Sequence, residues 1–344
     1  MKTQLFTTMG IDLGKNAVHV VGMDASGAVV LRKRLSHAKL TELLANSPAS
    51  LIGMEACPGS NHLGRSLAAL GHTVRLIPAQ YVKPYLKANK NDTLDAEAIA
   101  EAVGRPTMRF VPIKTIAQVD LQTMHRIRDR MVSQRTSLIA QIRCFLLEYG
   151  VVMAAGVAAF KRDLPKLLAE REAQLSPTLL LLVGRLREEL RSLEERIEEI
   201  SREIQDFAAK DDTARRLMTI PGIGPLGATA FLSAVGDVRR FRRARDLAAW
   251  IGLVPRQHST GGKNTLLGIS KRGNSYLRRL LIHGARSCLL HLHRDRDRLG
   301  AWLSDLEKRT HRNKAVIALA NKIARIAWAL MAHPDRTYRR AALA

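Results

Sequence analysis

A chain of 344 residues is long enough for two or three domains with substantial cores, and 46% hydrophobic content excludes a disordered chain. The net charge of +24 is uneven: residues 211–344 carry 26 Lys and Arg against 9 Asp and Glu, which points to a polyanionic partner, nucleic acid before a membrane surface. Cys57, Cys144 and Cys288 show neither disulfide nor metal spacing, no secretory segment is expected ahead of the first strand, and no apolar run approaches the ~20 residues that span a bilayer, so a protein of the reducing cytoplasm is expected.

The first 115 residues read as α/β. Strands are predicted at 5–13, 17–24 and 28–35, with Asp24-Ala25-Ser26-Gly27 as the turn between the last two. A helix near 38–46, strand 51–55, helix 61–70, strand 73–78 and a helix over 93–104 follow. Three antiparallel strands followed by α–β–α–β is the element order of a ribonuclease-H-like fold, in which the first strand lies beside the fourth. Residues 116–210 read as a helical coiled-coil domain. One helix covers about 116–149, and Leu179, Val183, Leu186, Leu190, Leu193, Ile197, Ile200, Ile204 and Phe207 then recur at spacings of four and three. That seam suits a helical hairpin within the chain or, more sharply, a dimerisation arm. Residues 211–344 read as mostly α, with helices at 215–220, 226–235 and 313–332 and glycine-rich interruptions between them.

Asp12 and Glu55 each close a short apolar run, and Asp92 and Asp95 share one face at the start of a helix. A carboxylate at the end of a buried strand is costly unless its charge is compensated, and a divalent cation does so best. Four such groups suit phosphodiester chemistry with two Mg2+ ions held ~4 Å apart. Taken singly, Asp92 reads equally as a helix cap and Asp12 as a turn residue. Gly10-Ile11-Asp12-Leu13-Gly14-Lys15 also resembles the first phosphate loop of actin-like kinases, but a basic helical second half does not suit their later phosphate and adenosine loops.

Two further motifs lie in the basic region. Ile220-Pro221-Gly222-Ile223-Gly224-Pro225 has the form of a helix–hairpin–helix turn, where Gly222 and Gly224 let backbone N–H groups approach a phosphate; a plain interhelical turn is the alternative. Arg256-Gln257-His258-Ser259-Thr260-Gly261-Gly262-Lys263 sets two hydroxyls in a glycine-flanked loop, with Lys271, Arg272, Arg278 and Arg279 downstream. A hydroxyl attacks phosphorus when its proton is removed and the developing charge is neutralised. A flexible phosphate-contacting loop is the plainer reading of the same residues.

These motifs, in this order and across nearly the whole chain, resemble insertion-sequence transposases of the DEDD type, the "IS one-ten" family. The matching segments are Gly10-Ile11-Asp12, Met54-Glu55-Ala56, Asn91-Asp92-Thr93-Leu94-Asp95-Ala96, Ile220–Gly224 and Gly252-Leu253-Val254-Pro255-Arg256 through Ser270-Lys271-Arg272-Gly273-Asn274. The Gln257–Lys263 form resembles one large subgroup. The resemblance implies a RuvC-like nuclease domain over 1–115, a coiled coil over 116–210 and a transposase domain over 211–344. It implies that Asp12, Glu55, Asp92 and Asp95 bind magnesium, and that a C-terminal serine joins covalently to DNA. It further implies a homo-oligomer in which one subunit's acidic domain completes another's serine site, and an element-encoded guide RNA that pairs with donor and target DNA. The family serine precedes a glycine, whereas here Thr260 precedes Gly261 and Ser259 stands one earlier. A primary hydroxyl is less hindered, so Ser259 is the expected nucleophile and Thr260 the alternative. Arg256, His258 and Lys263 are expected to orient the phosphate, and Gly222, Gly224, Lys271, Arg272, Arg278 and Arg279 to contact backbone. A junction-resolving nuclease with the same carboxylates but no covalent step is the rival enzyme; a non-catalytic nucleic-acid-binding protein leaves the acidic pattern unexplained.

Overall fold

The computed structural model describes residues 6–86, 92–294 and 298–339. The expected first strand's residue 5 and Asn91, at the head of the acidic motif, lie outside these described residues. The chain forms two compact units that divide after Ala117.

The first unit carries strands β1 (Thr8–Leu13), β2 (Val18–Met23), β3 (Val29–Leu35), β4 (Leu51–Glu55) and β5 (Thr73–Ile77). Its helices are α1 (His37–Ala45), α2 (Ser60–Ala69), α3 (Ala79–Val82) and α4 (Asp92–Val103). The strands form one mixed sheet in the order β3-β2-β1-β4-β5, as a ribonuclease-H-like fold requires. β1 runs antiparallel to β2, with Asp12 opposite His19, and parallel to β4, with Ile11 opposite Met54. Met9, Ile11, Ile52 and Met54 share one face of these two central strands and are fully buried, while Gly10 and Gly53 lie on the other face against α4.

Helix α4 lies on β1, β2 and β4, and its inner face is largely alanine: Ala96, Ala98, Ala100 and Ala102 are buried around Ile99 and Val103. Those short side chains let the helix backbone descend onto the sheet. A Cβ on Gly10 would stand 2.1 Å from the Ala96 carbonyl oxygen and 2.4 Å from the Ala100 nitrogen. Only glycine fits there, and the close approach sets the first turn of α4 over the end of β1.

The second unit contains α5 (Ile116–Leu147) from its third residue onward, α6 (Val157–Glu170), α7 (Pro177–Lys210), α8 (Asp212–Met218), α9 (Pro225–Val235) and α10 (Ala244–Ile251). A hairpin of β6 (Pro255–Thr260) and β7 (Lys263–Ile269) precedes α11 (Ser275–His291), α12 (Arg298–Arg309) and α13 (Arg312–Ala332). The heptad seam on α7 is used within the chain: Leu179, Val183 and Leu190 join Leu138, Ile139, Ile142 and Leu146 of α5 in one cluster. Leu186, Leu193, Ile200 and Phe207, the alternate seam positions, remain half-buried.

Helix α13 qualifies the expectation about apolar runs, because by length and composition it could cross a membrane. It is instead a central helix of this unit. Ala315, Val316, Leu319, Ala320, Ile323, Ala324, Ala327 and Leu330 are buried in its core, and α13 packs on α10 and α11.

Candidate functional site

Asp12 follows the buried Ile11 on the central strand, and Asp92 and Asp95 occupy the first turn of α4 above it. One carboxylate oxygen from each lies within 4.8 Å of the other two. Asp12 and Asp95 are half-buried and Asp92 is exposed, so the cluster opens to solvent on one side. Three hard oxygen donors suit magnesium, calcium or manganese and disfavour soft metals.

Glu55 ends β4, one position beyond the Ile11–Met54 pair, and so stands beside Asp12 in the sheet register. It is not one of the three carboxylates that share the 4.8 Å limit. Both Glu55 and Asp12 nevertheless act electrostatically on the Cys57 thiol. Burial pushes that thiol's pKa up, and Glu55 and then Asp12 push it further in the same direction. His19 was missed from the sequence. It lies opposite Asp12 on β2, and its Nδ1 is 3.6 Å from an Asp92 oxygen. The available signal was the hairpin register itself, which pairs the two residues once β1 and β2 are aligned.

The hydroxyl-bearing segment is a hairpin and not an irregular loop. Gly261 and Gly262 form its two-residue turn with φ of 54° and 76°. Positive φ at both central positions is what a tight turn with the twist of paired strands needs, and glycine supplies it without a Cβ clash. Ser259 pairs with Asn264, and Thr260 with Lys263. Successive strand residues point to opposite faces, so the two hydroxyls do not occupy equivalent positions. Ser259 Oγ donates to Asn264 Oδ1 at 2.9 Å and accepts from Gln257 Nε2 at 2.8 Å. Arg256, His258 and Lys263 are exposed along the same hairpin.

The remaining basic and glycine residues divide into two groups. Lys271 and Arg272 are exposed, as is Gly224, which caps the N-terminus of α9. Gly222 packs against α11, where a Cβ would stand 2.8 Å from the Gly284 carbonyl oxygen. Arg278 is turned inward and buried, and its Nη1 donates to the carbonyls of Ile251 at 2.7 Å and Arg272 at 2.9 Å. Arg279 forms an ion pair with Asp129 of α5 and lies over the Tyr276 ring.

A DEDD-type family model described as "Transposase" matches residues 9–151, and a second, "Transposase IS116/IS110/IS902 family", matches residues 214–299. The chain is 45% identical to the transposase for insertion sequence element IS1328 of Yersinia enterocolitica, over 94% of this chain and 96% of that one. It is 44% identical to the transposase for insertion sequence element IS1111A of Coxiella burnetii, over 96% and 91% respectively. The chain belongs to the IS116/IS110/IS902 family of transposases. It is thus an enzyme acting on DNA. The first family match contains all four acidic residues of this transposase, and the second contains both the α8–α9 turn and the Ser259 hairpin. The acidic cluster is consistent with the site that gives DEDD transposases their label.

Proposed function

We propose that the transposase excises and inserts its own mobile element, with a magnesium-dependent acidic site and a covalent serine step. The reading is carried by the convergence of Asp12, Asp92 and Asp95 at the end of the central strand in a chain of this family. Asp12, Asp92 and Asp95 would hold the ions, with Glu55 completing the set from the neighbouring strand. When bound, magnesium neutralises charge on the scissile phosphate and stabilises the leaving oxygen. Ser259 Oγ forms a bond to phosphorus as the bond from phosphorus to the leaving deoxyribose oxygen breaks. The hydroxyl proton ends on that leaving oxygen, so one phosphodiester replaces another and no oxidant or nucleotide cofactor is required. Arg256, His258 and Lys263 orient the phosphate, and exposed Gly224, Lys271 and Arg272 contact backbone away from it.

The same reading assigns RuvC-like nuclease work to residues 1–115, subunit assembly to 116–210 and DNA joining to 211–344, in the cytoplasm. A guide RNA encoded with the element and further copies of this chain are proposed partners. The positive excess beyond residue 210 and the half-buried seam positions of α7 support them. The test is a strand-exchange assay on element-end DNA with magnesium, run beside denaturing-gel detection of a protein–DNA adduct. Asp12→Asn should abolish exchange and Ser259→Ala should abolish the adduct. Hydrolytic cleavage by the wild type with no adduct would favour a junction-resolving nuclease instead. Sequencing of co-purified RNA should return one discrete transcript; a random cellular mixture would remove the guide from the proposal.

A further inference from the structure

We propose that Gln257 and Asn264 are positioning residues for the Ser259 hydroxyl, an inference that rests on Ser259 being the nucleophile. Both strands of the hairpin are exposed over almost their whole length, so no packed core holds the serine rotamer. Hydrogen bonds take over that task. Asn264 stands directly across from Ser259, and Gln257 lies two residues before it on the same face. The three side chains close a ring: Gln257 Nε2 to Ser259 Oγ at 2.8 Å, Gln257 Nε2 to Asn264 Oδ1 at 3.1 Å, and Ser259 Oγ to Asn264 Oδ1 at 2.9 Å.

With Gln257 Nε2 and Asn264 Oδ1 turned into the ring, the donor inventory sets the remaining directions. An amide nitrogen only donates, so Gln257 spends its two hydrogens on Ser259 and Asn264. The amide oxygen of Asn264 faces the serine, and the serine hydroxyl is the donor between them. Oγ is left with its proton aimed at Asn264 and one lone pair uncommitted. A carboxamide is too weak a base to take the proton, so the contribution is orientation: the free lone pair is held in one direction before DNA arrives. Thr260 lies on the opposite face, across from Lys263 and outside the ring. This asymmetry gives a physical reason for serine over threonine at adjacent positions.

The experiment measures single-turnover adduct formation by the full-length protein on element-end DNA with magnesium, at saturating DNA, alongside the DNA Kd. Asn264→Ala and the near-isosteric Asn264→Leu should slow adduct formation by about 10- to 100-fold with Kd unchanged, and Gln257→Ala should do the same. Asn264→Asp keeps an acceptor oxygen across from Ser259, so it should recover most of the rate at neutral pH, where Asn264→Leu, which keeps only the volume, does not. That rescue by the conservative variant is a readout a merely structural role would not produce. Wild-type rates in both Asn264→Ala and Asn264→Leu, with Ser259→Ala inactive, overturn the positioning role and leave the nucleophile in place. Loss of the adduct in Thr260→Val but not in Ser259→Ala overturns the nucleophile assignment and this inference together.

Discussion

Asp12 stands at the end of a strand with Met9, Gly10 and Ile11 buried, beneath a helix whose alanines rest on the sheet; Ser259 stands on a strand with no buried residue. The two regions hold their reactive groups by different means. In the first, backbone packs on backbone, and the carboxylates are aimed by where α4 begins relative to β1. In the second, an amide ring of three hydrogen bonds orients a side chain that packing leaves alone. The first arrangement should be sensitive to volume and tolerant of polar change nearby. The second should be the reverse.

Substitutions in each region test this contrast. The largest effect is expected from Asp12→Asn, which removes a charge from the three-carboxylate cluster without changing its volume. Strand cleavage should fall by about 10³-fold, consistent with the several kcal/mol a metal site contributes, while the melting temperature stays near that of the wild type. An equal loss of thermal stability would mean that the aspartate serves the fold.

Gly10→Val should come next, because its side chain has only the α4 backbone to displace. Overpacking of this kind costs about 3 kcal/mol, read as a lower midpoint in denaturant unfolding of the first unit, and should weaken cation binding as well. Gly104→Ala, where no atom lies within 4 Å of the added carbon, is the control and should be neutral. A Gly10→Val protein as stable as the control would show that α4 is not seated by backbone contact.

The second unit carries its own buried polar centre, which predicts acid sensitivity. His125 is buried; its Nε2 lies 2.9 Å from Thr229 Oγ1 and its Nδ1 2.9 Å from Tyr276 Oη. Thr229 donates its own hydrogen to the Pro225 carbonyl, so Nε2 carries the imidazole proton and Nδ1 accepts from Tyr276. Burial, aided by the nearby Arg128 charge, lowers the His125 pKa to about 4. The unfolded chain therefore binds a proton near pH 6.5 that the folded chain refuses until about pH 4. Stability is fully present above pH 6.5 and falls through that window, by about 3 kcal/mol at most. Denaturant titrations at pH 7 and pH 4.5 should show the drop, and His125→Phe should flatten it.

The smallest contrast compares two arginines of the basic region. Arg278→Ala should cost about 2 kcal/mol of stability, because two backbone carbonyls lose a charged donor. Exposed Arg272→Ala should change stability by less than about 0.5 kcal/mol, whatever it does to DNA affinity. Matching thermal melts for the two would contradict the inward role of Arg278.

The α/β half was readable because its patterns are local. Alternating apolar runs, the Asp24–Gly27 turn and the helix over Asp92–Val103 all match the structure to within a few residues. The hairpin of β6 and β7 was not anticipated, since Pro255–Thr260 is polar and exposed throughout and offers no period-2 signal. Only the Gly261-Gly262 pair hinted at a turn, and it reads as readily as a loop. Arg278 and Arg279 looked alike as neighbouring cations. One is buried and the other exposed because adjacent residues on a helix face about 100° apart. The α7 seam was unmistakable as a seam, yet nothing in its spacing distinguished α5 of the same chain from another copy.

Residue identity and order alone determined the elements of the α/β half, where the excess positive charge lies and which acids are placed to meet at the sheet, because each follows from neighbours a few positions away. Two matters waited for the tertiary structure: that Asp12, Asp92 and Asp95 come within 4.8 Å, and that His19 Nδ1 stands 3.6 Å from Asp92. These depend on strand register and on how closely a helix backbone can approach a glycine. Such distances are set by packing between segments remote in the chain, and no local pattern encodes them.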